Sequence, residues 1–180
     1  MHVFANAQFH LVVYTLFLLD KGFSTQQFFL IESGYYLITL LMEVPTGMLS
    51  DRSPTKRVGG RKWSLVAASV VGLPVVPVII LSRSFWVVLA AMSVGGISSA
   101  FVSGTDVAML YDTLVALGRE DEDVRLTGRY KWLGSLSMAV SGIVGGLLAR
   151  WDLSYAWWAY LGAQVLVLGA RLALTEPPFA

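Results

Sequence analysis

Six long apolar runs separated by short polar connections dominate the chain: Val3–Leu19, Gln27–Leu49, Trp63–Leu81, Phe85–Leu110, Tyr130–Leu148 and Ser154–Leu174. A helix crossing hydrocarbon needs about 20 mostly apolar residues, and each run comes within a few residues of that length. Membrane-spanning strands are shorter and alternate, and an open backbone cannot be satisfied in lipid, so the runs read as helices. With 56% hydrophobic and only 14% charged residues, 180 residues carry more apolar surface than one soluble core can hide. The expected fold is an all-α membrane protein of six transmembrane helices, occupying residues 1–180 as one domain with no soluble domain left over.

The placement of Lys and Arg predicts the orientation. One set of loops holds Arg52, Lys56, Arg57, Arg61, Lys62, Arg119, Arg125, Arg129, Lys131 and Arg171, and the other holds only Lys21, Arg83 and Arg150. Ten of the 13 basic residues thus fall on one side, which the positive-inside rule assigns to the cytoplasm together with both termini. Trp63 and Trp132 fall at the ends on that side, and Trp86, Trp151, Trp157 and Trp158 at the other ends, where amphipathic rings meet headgroups. Pro74 and Pro77 should bend the third span. A net charge of +1 gives no reason to expect a nucleic-acid partner. The absence of cysteine removes disulfides, zinc–thiolate sites and thiol nucleophiles.

Between the second and third spans the chain reads Glu43-Val44-Pro45-Thr46-Gly47, then Asp51-Arg52, and after seven residues Gly60-Arg61-Lys62. This segment resembles the signature loop of the major facilitator superfamily. Two further segments are similar to the same subgroup, Ser103-Gly104-Thr105-Asp106 through Leu110-Tyr111-Asp112, and Thr175-Glu176-Pro177-Pro178. The family usually has a single residue where Ser53 to Gly59 stand here. The resemblance implies the N-terminal six-helix half of a twelve-helix transporter in a bacterial-type inner (plasma) membrane. It also implies secondary transport of a small solute, with efflux a common assignment. The partners it implies are membrane lipid, a small-molecule substrate, and a C-terminal six-helix half or a second copy. On that reading the sequence is a partial or truncated transporter. The resemblance further implies a cytoplasmic latch carried by Gly47, Asp51, Arg52, Gly60, Arg61 and Lys62. Asp112, at the cytoplasmic end of the fourth span, is a charge partner for it. Gly47 is expected to admit a close helix approach.

Ionisable residues inside the bilayer cost on the order of 3 kcal/mol each and call for a reason. Glu43 either couples to protons or hydrogen-bonds a neighbouring helix. Asn6, His10 and Tyr14 recur at steps of four, so a helix would place them on one face lining a cavity. His10 is then a proton carrier, a solute ligand or an interhelical hydrogen-bonder. Gln8 points away from that face. Ser99, Ser103 and Asp106 share a face of the fourth span, and Asp106 either lines the transport path or binds the cytoplasmic loops. Glu32 is expected at the interface, and Gln164 is a lesser cavity candidate. Ser137, Ser141, Gly145 and Ala149, with Gly142 and Gly146 beside them, form a small-residue stripe for close packing.

There is no Ser/His pair, no paired catalytic carboxylates and no metal-ligand spacing such as His-Glu-x-x-His, so neither an enzyme, a metal nor a cofactor is expected. The competing class is a membrane interaction or accessory protein that works only as an oligomer.

Overall fold

A computed structural model describes residues 2–50 and 60–175. The expected latch residues Asp51 and Arg52, the insertion up to Gly59 and the Glu176-Pro177-Pro178 segment lie outside the described residues. Those described are helical and turn segments without a strand: α1 His2–Ala5, α2 Tyr14–Asp20, α3 Thr25–Ser50, α4 Arg61–Gly72, α5 Val75–Leu81, α6 Phe85–Val102, α7 Thr105–Ala116, α8 Asp123–Leu148 and α9 Leu153–Leu172.

Among the described residues, four helical segments are long and apolar enough to cross a membrane: Thr25–Ser50, Arg61–Leu81, Phe85–Ala116 and Glu120–Leu148. They point to a membrane protein. The α3 segment buries only 6% of its apolar window inside the chain, and Leu40 and Val44 stand 66% and 70% exposed. A monomeric soluble protein rarely presents so continuous an apolar face. The 20-residue α9 is about 30 Å long, but its Trp, Tyr and Gln side chains dilute its apolar character.

Three expected spans are interrupted. Val3–Leu19 is not one helix: α1 ends at Ala5, and the chain passes through turns closed by Gln8 N–H to Asn6 O, Leu11 N–H to Gln8 O and Val13 N–H to His10 O before α2 begins. Asn and other polar side chains offer the backbone alternatives to the helix ladder, and irregular backbone at membrane depth survives only where protein or a cavity surrounds it. The third span breaks at Leu73–Pro74, as the proline predicts. The fourth breaks at Ser103–Gly104, where Gly104 adopts φ +74°. That left-handed conformation suits glycine.

Close packing centres on α3 against α6. A Cβ added at Gly96 would lie 2.5 Å from the Tyr35 carbonyl oxygen, so the two backbones touch. Hydroxyls join the same pair of helices: Thr39 Oγ1 donates to Gly96 O at 3.3 Å and Thr46 Oγ1 to Ala100 O at 3.1 Å. Small and hydroxylated residues hold apolar helices together in this way. At Gly47 a Cβ would meet nothing within 4 Å among the described residues. The stripe on α8 does pack closely. Gly145 lies against the Phe9 carbonyl, Gly142 against Val12, and Ser137 Oγ donates to Val3 O, so α8 supports the non-helical N-terminal stretch. An aromatic and aliphatic core including Phe17, Leu18, Ile31, Ile79, Val88 and Trp157 closes one end of the bundle.

Candidate functional site

The bundle holds a partly open cavity of about 560 Å³, within the range of small-molecule sites. The stretch 5–14 forms one wall, with Asn6, Gln8, His10 and Tyr14 on it. From α3 come Glu32, Tyr35 and Tyr36, from α4 Ser69, from α6 Ser98 and Ser99, from α7 Asp106, and from α8 Tyr130. Helix α9 contributes Trp157, Tyr160, Gln164 and Arg171, a stripe set by steps of three, four and seven residues that keeps one helical face inward.

One end of this cavity is aromatic. The His10 ring packs 4.4 Å from that of Trp157 and 4.1 Å from that of Tyr160, centroid to centroid, and Tyr14 meets Trp157 edge-on at 5.6 Å. These offset and tilted geometries are the favoured ones for ring pairs. His10 Nδ1 and Trp157 Nε1 are buried without a hydrogen-bond partner among the described residues. The buried Tyr14 hydroxyl faces the Glu32 carboxylate. Buried polar atoms of this kind call for a water or a solute.

The other end is charged. Asp106 accepts from the Tyr130 hydroxyl at 2.7 Å and from the Val107 N–H at 2.9 Å. Arg171, only 5% exposed, donates through Nη1 to Leu65 O at 2.9 Å and to Ser69 Oγ at 2.7 Å. Arg171 therefore is not a loop charge, as its place in the basic count implies, but a buried cation on α9.

Of the residues singled out from the sequence, Asn6, His10, Tyr14, Ser99 and Asp106 meet in the cavity. Gln8 and Glu32 join them against expectation. Gln8 does so because the helix that would have turned it away does not form. Glu43 and Ser103 stand apart, exposed, with Ser103 Oγ donating to Glu43 Oε1 at 3.2 Å. The break at Gly104 separates Ser103 from the face that Ser99 and Asp106 share.

The latch residues that are described form their own constellation. Arg61 Nε lies 2.9 Å from Asp112 Oδ2, with side chains 15% and 21% exposed, tying the start of α4 to α7. Lys62 Nζ sits 5.9 Å from the centre of the Trp63 ring. Gly60, with φ +114°, begins α4. On the remaining connections, Lys21 Nζ donates to Ile79 O, Ile80 O and Ser82 O at 2.5, 2.7 and 2.7 Å, capping α5. Burial draws its ammonium below the usual lysine range, with Arg83 adding to the effect. Arg119 and Glu122 pair at 2.7 Å on the surface, and the hydrogen bond from Arg119 holds the Glu122 carboxyl below its ordinary value.

No family model matches the chain, and a search of curated proteins finds no similar protein.

Proposed function

We propose that this chain is a six-span membrane unit, similar to the N-terminal half of a major facilitator transporter, that carries a small solute across a bacterial-type plasma membrane by alternating access. The first span on this reading is the interrupted stretch Val3–Leu19 and the sixth is α9. Both termini face the cytoplasm, and a second six-helix half or a second copy completes the path. The observation that carries the reading is a cavity that sets polar and charged side chains into an otherwise apolar lining and is bounded by broken helices. Transporter sites are built from such interrupted spans, because a polar path through lipid needs backbone and side chains that can meet a solute. The Arg61–Asp112 pair supplies a breakable contact at the same end as the signature loop.

The native chain has no cysteine, so a single Ser99→Cys reports on the cavity without background. Alternating access requires an impermeant maleimide to reach it from either face of a proteoliposome, at rates that solute shifts in opposite directions. Labelling from one face only, unchanged by any solute, would sink the reading.

The second reading, an accessory protein that acts only as an oligomer, is favoured by one observation. The largely unburied face of α3 carries the exposed Glu43 carboxylate, which is costly against lipid and suits a protein neighbour. Crosslinking a Val44→Cys variant in native membranes separates the two: an obligate oligomer without solute-dependent Ser99→Cys labelling favours the accessory role.

A further inference from the structure

We infer that the Arg171 end of the cavity binds the carboxylate of a monoanionic organic solute. As a solute site this rests on the transport reading, but the binding itself rests on the residues. Arg171 is the sole Lys or Arg lining the cavity among the described residues. Its two hydrogen-bond acceptors, Leu65 O and Ser69 Oγ, are neutral, and its buried Nε has no partner. A guanidinium presents five donors in a rigid fork, and this buried charge has two neutral acceptors and no carboxylate in direct contact among the described residues. Asp106 acts on Arg171 through space but forms no ion pair with it among the described residues. Both Asp106 oxygens are already engaged, one by Tyr130 and one by Val107.

The unpartnered Nε lies on the edge of the guanidinium that suits the paired oxygens of a carboxylate, which arginine grips bidentately, and a small rotation of the side chain would bring that edge to the cavity. Ser69 accepts from Arg171, so its own proton is left for a ligand oxygen. The charge of the ligand follows from the surroundings. One cation with an acid in view accommodates a single negative charge, whereas a dianion would meet Asp106 with no second cation to offset it. The wall also favours an organic body over a bare ion. From Arg171 the α9 stripe runs through Gln164 to Tyr160 and Trp157, about 16 Å along the helix from Arg171 to Tyr160 at 1.5 Å per residue.

The test uses the purified full chain in zwitterionic-lipid nanodiscs and reads the midpoint of thermal unfolding while benzoate is titrated, since a ligand of the folded state raises it by mass action. Benzoate should raise the midpoint saturably, and phosphate and tetramethylammonium should not. Arg171→Gln should abolish the shift. Arg171→Lys, which keeps the charge and loses the fork, and Ser69→Ala should each weaken benzoate about tenfold, the scale of one hydrogen bond to a charged group. If Arg171→Gln does not fold, the latter two decide. No saturable shift, a shift that survives Arg171→Gln, unchanged affinity in both other variants, or phosphate binding as well as benzoate would each overturn the site. Benzoate that binds in nanodiscs but never crosses proteoliposomes defeats the transport reading and leaves the site standing. Benzoate uptake indifferent to Arg171 does the reverse.

Discussion

Replacing Gly96 by alanine tests whether the contact between α3 and α6 is as close as the structure draws it. The new Cβ would sit 2.5 Å from Tyr35 O, 3.1 Å from Thr39 Oγ1 and 3.2 Å from Thr39 N. Tyr35 O and Thr39 N belong to the α3 backbone, so no side-chain rotation relieves the clash. The helices must part, which also strains the Thr39–Gly96 hydrogen bond. Forcing a methyl into a packed contact costs about 1–3 kcal/mol. Alanine gains up to about 1 kcal/mol over glycine in helix propensity, and that gain would blur a single measurement. Gly47→Ala removes the ambiguity: it lies on α3 with nothing within 4 Å of its Cβ, and it takes the same propensity gain without a clash. The difference between the two variants isolates the packing cost at about 1–3 kcal/mol, or roughly 5- to 150-fold in the folding equilibrium. Reversible unfolding by denaturing detergent in mixed micelles measures both. Equal stabilities for Gly96→Ala and Gly47→Ala would refute the close approach and the packing argument built on it.

Four further outcomes are expected. Gly145→Val should destabilise the chain by at least as much as Gly96→Ala, because its side chain would enter the space of the Phe9 carbonyl; proteolysis of the stretch 6–13 in bilayers should accelerate. Lys21→Met should free the C-terminal carbonyls of α5, costing about 1–2 kcal/mol for a partly exposed charged cap, and speed amide exchange across Val78–Ser84. The depressed Glu122 carboxyl contributes stability that is present above the ordinary glutamate range and is lost as pH falls through its lower folded value; exchange of the Glu120–Glu122 turn should therefore accelerate only on the acid side. On the latch reading, Asp112→Asn should slow solute uptake while leaving membrane insertion and abundance unchanged, and normal uptake would remove Arg61–Asp112 from the mechanism.

The long helices were legible because length and apolarity together leave a segment few alternatives. Even their breaks were partly visible, since Pro74 announces one. The interruption at residues 6–13 was not. A stripe at steps of four assumes a helix, and nothing local to Asn6, Gln8 and His10 reveals that α8 offers small residues at Ser137, Ser141 and Gly145 for a non-helical strand of chain to lie against. Once that support exists, the turns cost little and Gln8 joins the cavity. Arg171 is hidden for a different reason: counting basic residues for topology treats a helix end as loop. Its register with Trp157, Tyr160 and Gln164 carried the signal that it faces inward. The Arg61–Asp112 pair needed no such correction, because two opposite charges at the ends of successive spans have few other partners. Gly47 shows the converse: among the described residues the close backbone contacts are made at Gly96 and Gly145, which lie outside the signature loop, while Gly47 has open space beside it.

The left-handed turn at Gly104 divides what length alone would make one rod. Helix α6 is fixed to α3 by backbone contact, whereas α7 beyond the turn carries Asp106 at the cavity and Asp112 at Arg61. Asp106 and Asp112 thus share one short lever with its fulcrum at a single residue. A displacement of α7 would therefore move the contact on Arg61 and the carboxylate at the Arg171 end together, and the buried Ser50–Thr105 hydroxyl contact would carry it to α3.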